Sequence, residues 1–247
     1  MKPRISTAVL GLALMLAGCG GDAPGGSKSG GSGTSVAAVP APNGGDWSQT
    51  VVQTPEGGFM MGNPNAGVKL VEFASMTCPH CAEFVEASPA LIDNYVKTGR
   101  VSYELRNYVR DPIDLAASLL ARCSGPGPFF KLTDQIFASQ KEFFDKLQAM
   151  SPAEQQQLQA LPPQQVVPLI AQKTGLVQFV QMRGVPADKA QQCLSDQKAV
   201  EGLVQMTNKA NEFQLPGTPS FLINGRLVEK AASWSELEPK LKEAVGG

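Results

Sequence analysis

The pattern of apolar positions predicts a strand, a helix and a second strand in succession. Residues 68–73 (VKLVEF) form a short run rich in Val and Leu, and residues 101–109 alternate between apolar and polar side chains, as strands do. Between these runs, apolar residues recur at helical spacing up to Tyr95, and Pro79 suits the first turn of a helix, where its missing N–H costs nothing. We therefore predict a βαβ unit.

A second set of strand signals follows a long helical stretch. From about 112 to about 213, Pro, Gly and Gln punctuate helical segments, and no convincing strand pattern occurs. Residues 221–223 and 226–228 then flank Asn224-Gly225, which is a strong hairpin signal, and a final amphipathic helix follows. The order βαβ, helical block, ββα predicts an α/β fold with a helical insertion between its two halves.

The first eighteen residues have the pattern of an export signal. A positive start at Lys2 and Arg4 precedes an apolar run at residues 8–16, which is too short to span a membrane. The run ends in Leu16-Ala17-Gly18-Cys19, which resembles the bacterial lipobox and implies lipid attachment at Cys19 with cleavage before it. The alternative is an ordinary signal peptide that contains a Cys. Both interpretations predict export.

The residues after Cys19 are rich in Gly, Ser and Pro. Residues 20–46 carry almost no large apolar side chain, so burial cannot offset the entropy of ordering them. We predict a lipidated and flexible tether over residues 19–57 and a folded domain over residues 58–247.

Charge and histidine content exclude several classes of function. The chain has 21 Lys and Arg against 22 Asp and Glu, a formal net charge of −1, and no basic run. This balance argues against nucleic acid as a partner and against a polybasic membrane patch. His80 is the single histidine of the sequence, which argues against mechanisms and metal sites that need two.

The sequence Cys78-Pro79-His80-Cys81 carries the candidate chemistry. Two cysteines three apart at the start of a helix can close a disulfide, because the first helical turn brings their sulfurs together. The first sulfur faces the free N–H groups and the positive end of the helix dipole, which favour the thiolate. His80 would add a hydrogen-bond donor near that sulfur. A stabilised thiolate leaves readily, so the disulfide would pass easily to another protein.

Two further cysteines, Cys123 and Cys193, lie in the predicted insertion. In an oxidising compartment they are expected to bond each other, and we take such a bond as structural. Two buried free thiols, or a redox relay to the CxxC pair, are the alternatives. A zinc site would need both as additional ligands, and they lack the paired spacing of zinc ribbons and knuckles.

The residues around the CxxC pair resemble a known family. VEF-ASMT-CPHC, with GTPSFLING far downstream, is similar to the DsbA/BdbD-type exported disulfide oxidoreductases of the thioredoxin superfamily. The resemblance implies a thioredoxin fold with a helical insertion between its βαβ and ββα halves. It implies that Cys78 is the nucleophile and Cys81 the resolving cysteine, with Pro79 and His80 the dipeptide typical of strong oxidants. Relatives of the BdbD and alphaproteobacterial type also carry a second cysteine pair.

The same resemblance implies roles for residues outside the CxxC pair. Thr218-Pro219 matches the cis-proline loop of the family, which faces the two sulfurs and pairs with a substrate strand. Glu72 matches a partly buried carboxylate that could accept a proton from Cys81, whereas the alternative is a solvated Glu on a strand edge. The classical enterobacterial oxidase has Val where this chain has Thr218, which leaves the direction of electron flow open.

These observations predict an exported enzyme that donates the Cys78–Cys81 disulfide to other proteins. Its partners would be unfolded or reduced exported proteins and a DsbB-like quinone reductase in the membrane, and no cofactor beyond the thiols is implied. We expect it on the periplasmic side of the cell envelope, held to a membrane by lipid. A reductase or isomerase of the same fold, or a copper-handling assembly factor that uses the CxxC pair, are the alternatives.

Overall fold

A single mixed sheet forms the centre of the structure, a computed structural model that describes residues 35–246. Its strands are β1 (Val51–Gln53), β2 (Phe59–Gly62), β3 (Val68–Ala74), β4 (Val101–Asn107), β5 (Ser220–Ile223) and β6 (Arg226–Leu227). Over this range the six strands are ordered β1-β2-β4-β3-β5-β6. Strands β3 and β4 are parallel, and the remaining neighbours are antiparallel.

The predicted βαβ unit is present. Helix α1 (Pro79–Leu91) and a wider π-helical turn (Ile92–Val96) connect β3 to β4. Strand β3 is buried along almost its whole length, as expected for a central strand with both faces covered. The loop between β3 and α1 therefore lies at the carboxyl end of a central strand.

The predicted hairpin is also present. Strands β5 and β6 pair across Asn224-Gly225, where φ is 50° at Asn224 and 78° at Gly225. Positive φ at both central residues is typical of a type I′ turn, which Asn-Gly favours. The twist of this turn matches that of the flanking strands. Helix α10 (Trp234–Ala244) follows, and the aromatic rings of Phe84 in α1 and Phe221 in β5 pack with centroids 4.7 Å apart.

The helical insertion lies between β4 and β5, as predicted. Its helices are α2 (Pro112–Arg122), α3 (Pro126–Ala138), α4 (Gln140–Gln148), α5 (Pro152–Ala160), α6 (Pro163–Lys173), α7 (Leu176–Gln181), α8 (Ala187–Leu194) and α9 (Gln197–Asn211). Asp111 is the N-cap of α2, and its side chain accepts a hydrogen bond from the N–H of Asp114, as N-caps do. Buried apolar side chains of the insertion and the sheet form one continuous core. Within residues 35–246, no helix combines the length and the apolar character that crossing a membrane requires.

Ordered structure extends to residues before 58, the position at which the folded domain is predicted to start. Trp47 is buried, and its indole N–H donates to the carbonyl of Val39 at 2.7 Å. The N–H of Val36 donates to the carbonyl of Val245 at 3.0 Å. Strands β1 and β2, which the sequence pattern did not predict, extend the sheet beyond β4. The predicted signal peptide and Cys19 lie outside the described residues.

Candidate active site

The two cysteines of the CxxC pair lie at the start of α1. The N–H of Cys78 donates to the carbonyl of Ser75 at 3.0 Å, and the carbonyl of Cys78 accepts the first helical hydrogen bond, from Ala82, at 3.2 Å. Both sulfurs are free thiols, and Cys78 and Cys81 are 3% and 0% exposed. The structure is thus that of the dithiol form, with Cys78 the more accessible of the two.

The surroundings of Cys78 favour its thiolate. The pKa of Cys78 is lowered to about 5, chiefly because the Cys81 thiol donates a hydrogen bond to its sulfur. The backbone N–H of Cys81 and the positive charge of Arg110 act in the same direction, while partial burial opposes them. At neutral pH, Cys78 is therefore mostly a thiolate.

Cys81 has the opposite character. Burial raises the pKa of Cys81 far above its ordinary value, and the neighbouring Cys78 sulfur and the charge of Glu72 raise it further. One sulfur of the pair is thus ready to leave as a thiolate, while the other holds its proton.

Glu72 lies in β3 with its side chain fully buried, not solvated at a strand edge. Its carboxylate accepts a hydrogen bond from the hydroxyl of Tyr103, and among the described residues its other oxygen, Oε1, has no hydrogen-bond partner. Burial raises the pKa of Glu72 to about 8, and the charges of Asp134 and Cys78 add to this effect. Near neutral pH the group can therefore either hold or release a proton.

The loop before β5 faces the CxxC pair. The peptide bond between Thr218 and Pro219 is cis. The Cys78 sulfur lies 3.0 Å from the carbonyl oxygen of Thr218, to which it can donate only in its protonated thiol form. Residues 140 positions apart in the chain are brought together here, because β3 and β5 are neighbours in the sheet.

The dipeptide between the cysteines is exposed. The His80 side chain is 69% exposed, and its Nδ1 lies 3.0 Å from a carboxylate oxygen of Glu83. This hydrogen bond is the main reason why the pKa of His80 is raised. The hydrogen-bond partner of His80 in the structure is thus Glu83 on the next turn, and the charge of Cys78 also raises the pKa of His80.

Sequence reasoning missed a polar network beneath the active-site loop. The buried Asp114 carboxylate accepts hydrogen bonds from the Ser75 hydroxyl at 2.6 Å and from the N–H of Met76 at 2.9 Å. The Arg110 guanidinium donates to the Ser75 and Thr77 hydroxyls at 2.8 and 3.2 Å. Burial raises the pKa of Asp114 to about 6, although its hydrogen bonds oppose that rise. The N-cap Asp111 was the available signal for the start of α2, but nothing local indicated that this segment contacts the loop after β3.

The second cysteine pair is bonded. Cys123, directly after α2, and Cys193 in α8 are joined by a disulfide that closes a loop with a sequence separation of 70. Their sulfurs are thus not available as zinc ligands for the CxxC pair. Within residues 35–246, no group of three or more His, Cys, Asp or Glu side chains is placed to hold a metal ion.

The sequence and the fold of this chain are both similar to those of known proteins. The model of the family described as Thioredoxin matches residues 54–243. This chain belongs to the thioredoxin family. Within that family its fold is of the DsbA type, since Wolbachia pipientis alpha-DsbA1 superposes with a TM-score of 0.62 at 20% identity, over 79% of this chain and 94% of that one.

Two relatives are more similar in sequence. The crystal structure of a protein-disulfide isomerase from Novosphingobium aromaticivorans is 33% identical, with a TM-score of 0.72 over 76% of this chain and 97% of that one. A Rickettsia felis protein that carries the provisional name protein-disulfide oxidoreductase is 31% identical over 68% of this thioredoxin-family chain. The match spans 53% of the length of that relative.

Proposed function

We propose that this chain is an exported thiol–disulfide oxidoreductase that transfers the Cys78–Cys81 disulfide to reduced proteins. The observation that carries the proposal is the asymmetry of the pair, because Cys78 has a pKa of about 5 whereas burial keeps Cys81 protonated. The names of the similar Rickettsia and Novosphingobium proteins support the same class of reaction.

The proposed reaction starts from the disulfide form. A substrate thiolate attacks the Cys78 sulfur, so that the Cys78–Cys81 bond breaks and a mixed disulfide forms. Cys81 leaves with the electron pair and takes a proton, for which Glu72 is the buried donor. A second substrate thiolate then attacks the substrate sulfur of the mixed disulfide, and Cys78 leaves as a thiolate. The substrate loses two electrons and gains a disulfide, while the pair is reduced to the dithiol.

The lowered pKa of Cys78 supports transfer in the oxidising direction. Thiolate formation stabilises the dithiol form, because the ordinary pKa of a free cysteine is about 8.5 and the group ionises well below that value. A stabilised dithiol makes the disulfide a stronger oxidant. Reduction or isomerisation by the same site is the second candidate, which is favoured by the isomerase name of the Novosphingobium relative.

A redox equilibrium tests the direction. The purified chain is equilibrated with reduced and oxidised glutathione, and the fraction of the Cys78–Cys81 disulfide is read by thiol labelling. A reduction potential of about −120 mV is expected of a disulfide donor, whereas a value of about −270 mV is that of a reductase and would overturn this direction. Stoichiometric copper binding without disulfide transfer would instead favour a copper-handling protein.

Catalysis is tested with a reduced protein substrate. The chain with an oxidised pair should speed disulfide formation in the substrate, and Cys78→Ser should abolish that effect. The matched control replaces Cys123 and Cys193 by Ala, which should retain the transfer. Equal rates with and without Cys78 would refute the assignment of the nucleophile.

We also propose export to the periplasmic side and lipid attachment at Cys19, supported by the apolar run that ends in Leu16-Ala17-Gly18-Cys19. Substrate proteins and a quinone-linked membrane enzyme that reoxidises the pair follow from this placement. Metabolic labelling with a fatty acid, comparing wild type with Cys19→Ser, tests the anchor. The label should be present in the wild type and lost in the variant. A wild-type protein that carries no label and is not found in the membrane fraction would refute lipidation.

A further inference from the structure

One side chain of the helical insertion holds the backbone of the active-site loop. Gln140, the first residue of α4, is only 8% exposed. Its side-chain nitrogen Nε2 donates to the carbonyl oxygens of Met76 and Cys78, at 2.9 and 3.0 Å. Both donors of one amide group are thus used on two carbonyls of the same turn.

These two carbonyls lie directly beside the reactive sulfur in the chain. The Cys78 carbonyl oxygen also accepts a hydrogen bond from the N–H of Ala82, which directs it along α1. This oxygen therefore has two donors, Ala82 and Gln140. Met76 is also held through its backbone N–H, which donates to the Asp114 carboxylate in α2. Two helices of the insertion, α2 and α4, therefore fix backbone N–H and carbonyl groups of the active-site loop.

We propose that Gln140 is a positioning residue for thiol exchange at Cys78, because its amide fixes the carbonyls of the turn so that the N–H groups remain available to the sulfur. The proposal rests on the proposed function of Cys78 as the reactive thiol. It assigns the helical insertion a direct effect on the chemistry of the pair.

The physical reason is the orientation of peptide dipoles around a buried charge. Without Gln140, two buried carbonyl oxygens lose a donor and the turn can relax toward other donors. Reorientation of the turn would weaken the hydrogen bond from the Cys81 N–H, which helps to hold the pKa of Cys78 low. Carbonyl oxygens turned toward the sulfur would destabilise its thiolate further.

Two variants of similar size separate this role from simple packing. Gln140→Met fills the same volume without donors, and Gln140→Glu keeps the shape but can donate only as the protonated acid. Gln148, the last residue of the same helix, is exposed, so Gln148→Met and Gln148→Glu serve as matched controls. The readouts are the Cys78 titration, followed by thiolate absorbance, and the equilibrium constant with glutathione.

In Gln140→Met, we expect the pKa of Cys78 to rise by at least about half a unit, which is about a threefold change. The equilibrium constant with glutathione should shift at least about threefold toward the disulfide form. The glutathione equilibrium constant of Gln140→Glu should deviate from the wild-type value more at high pH than at low pH, since only the protonated acid can restore a donor. Both controls should match wild type.

A purely structural role for Gln140 predicts a different result. It would lower thermal stability while the Cys78 titration and the glutathione equilibrium constant stayed within experimental error of wild type, and that result would overturn the proposal. Should Gln140→Met not fold, the pH dependence of the glutathione equilibrium constant in Gln140→Glu decides. A deviation from wild type that is the same at all pH values would overturn the proposal. Failure of the wild-type chain itself to exchange disulfides would instead refute the proposed function.

Discussion

Removing the Cys81 thiol should raise the pKa of Cys78 by a predictable amount. The pKa of Cys78 is lowered to about 5, and the largest cause is the hydrogen bond from Cys81. A hydrogen bond to a charged group contributes about 1.5–3 kcal/mol, and one pKa unit corresponds to about 1.4 kcal/mol. Cys81→Ala should therefore raise the pKa of Cys78 by about 1–2 units.

The assay is the absorbance of the thiolate at different pH values, checked by the rate of alkylation with iodoacetamide. Cys81→Ser is the matched variant, because its hydroxyl can still donate to the sulfur. The pKa of Cys78 in Cys81→Ser should stay within about half a unit of the wild-type value.

One result would refute the reasoning about the pair. If Cys81→Ala titrates like the wild type, the Thr218 side chain, the backbone N–H of Cys81 and the charge of Arg110 must suffice to stabilise the thiolate. The side-chain hydrogen bond would then have no measurable share in the reactivity of Cys78.

Three further variants test other parts of the site and its support. Burial raises the pKa of Glu72 to about 8, above its unfolded value of about 4.3. The free energy of unfolding should therefore fall as pH rises through this range, and Glu72→Gln should flatten that dependence in urea titrations. Replacing Cys123 and Cys193 by Ala should lower the free energy of unfolding of the oxidised protein by about 4 kcal/mol, because the bond closes a long loop; denaturant midpoints measure this. Arg110→Met removes a positive charge that lowers the pKa of Cys78 and should raise that pKa by about half a unit, followed by thiolate absorbance.

Each of these variants has a control in the same chain. The exposed Glu86 is the control for the buried carboxyl, and Glu86→Gln should retain the wild-type pH dependence of stability. Arg226→Met removes an exposed charge on β6 and should leave the Cys78 titration unchanged. For the disulfide, the wild type and the double variant should be equally stable under reducing conditions; a difference as large as the one in oxidised protein would show that packing, and not the bond, causes the loss.

The parts of the fold that sequence could predict are those with strong local signals. Strand β3 is a run of Val and Leu, and Asn224-Gly225 has the backbone preference of its turn. Strands β1 and β2 were missed because residues 51–62 are short of such signals, and their pairing depends on the edge that β4 provides. Tertiary pairing decides the structure of such weak segments.

The candidate site divides in the same way. The cysteines were predictable because thiol exchange requires two of them at that spacing, and the loop before β5 was predictable from its resemblance to the cis-proline loop of the DsbA/BdbD-type family. Gln140 was not, since a Gln at the start of a helix has no local property that shows which backbone it will contact. Its partners lie 62 and 64 positions away in the chain, and only the packing of the insertion brings them together.

The Cys123–Cys193 bond also has a mechanical consequence. A force applied between Ser35 and Gly246 passes through the disulfide, so that the residues enclosed between the two cysteines carry no load while the bond is intact. The loop has a sequence separation of 70, and an extended chain spans about 3.3–3.6 Å per residue. Stretching the unfolded protein should therefore release roughly 230–250 Å less contour length with the bond intact than after its reduction.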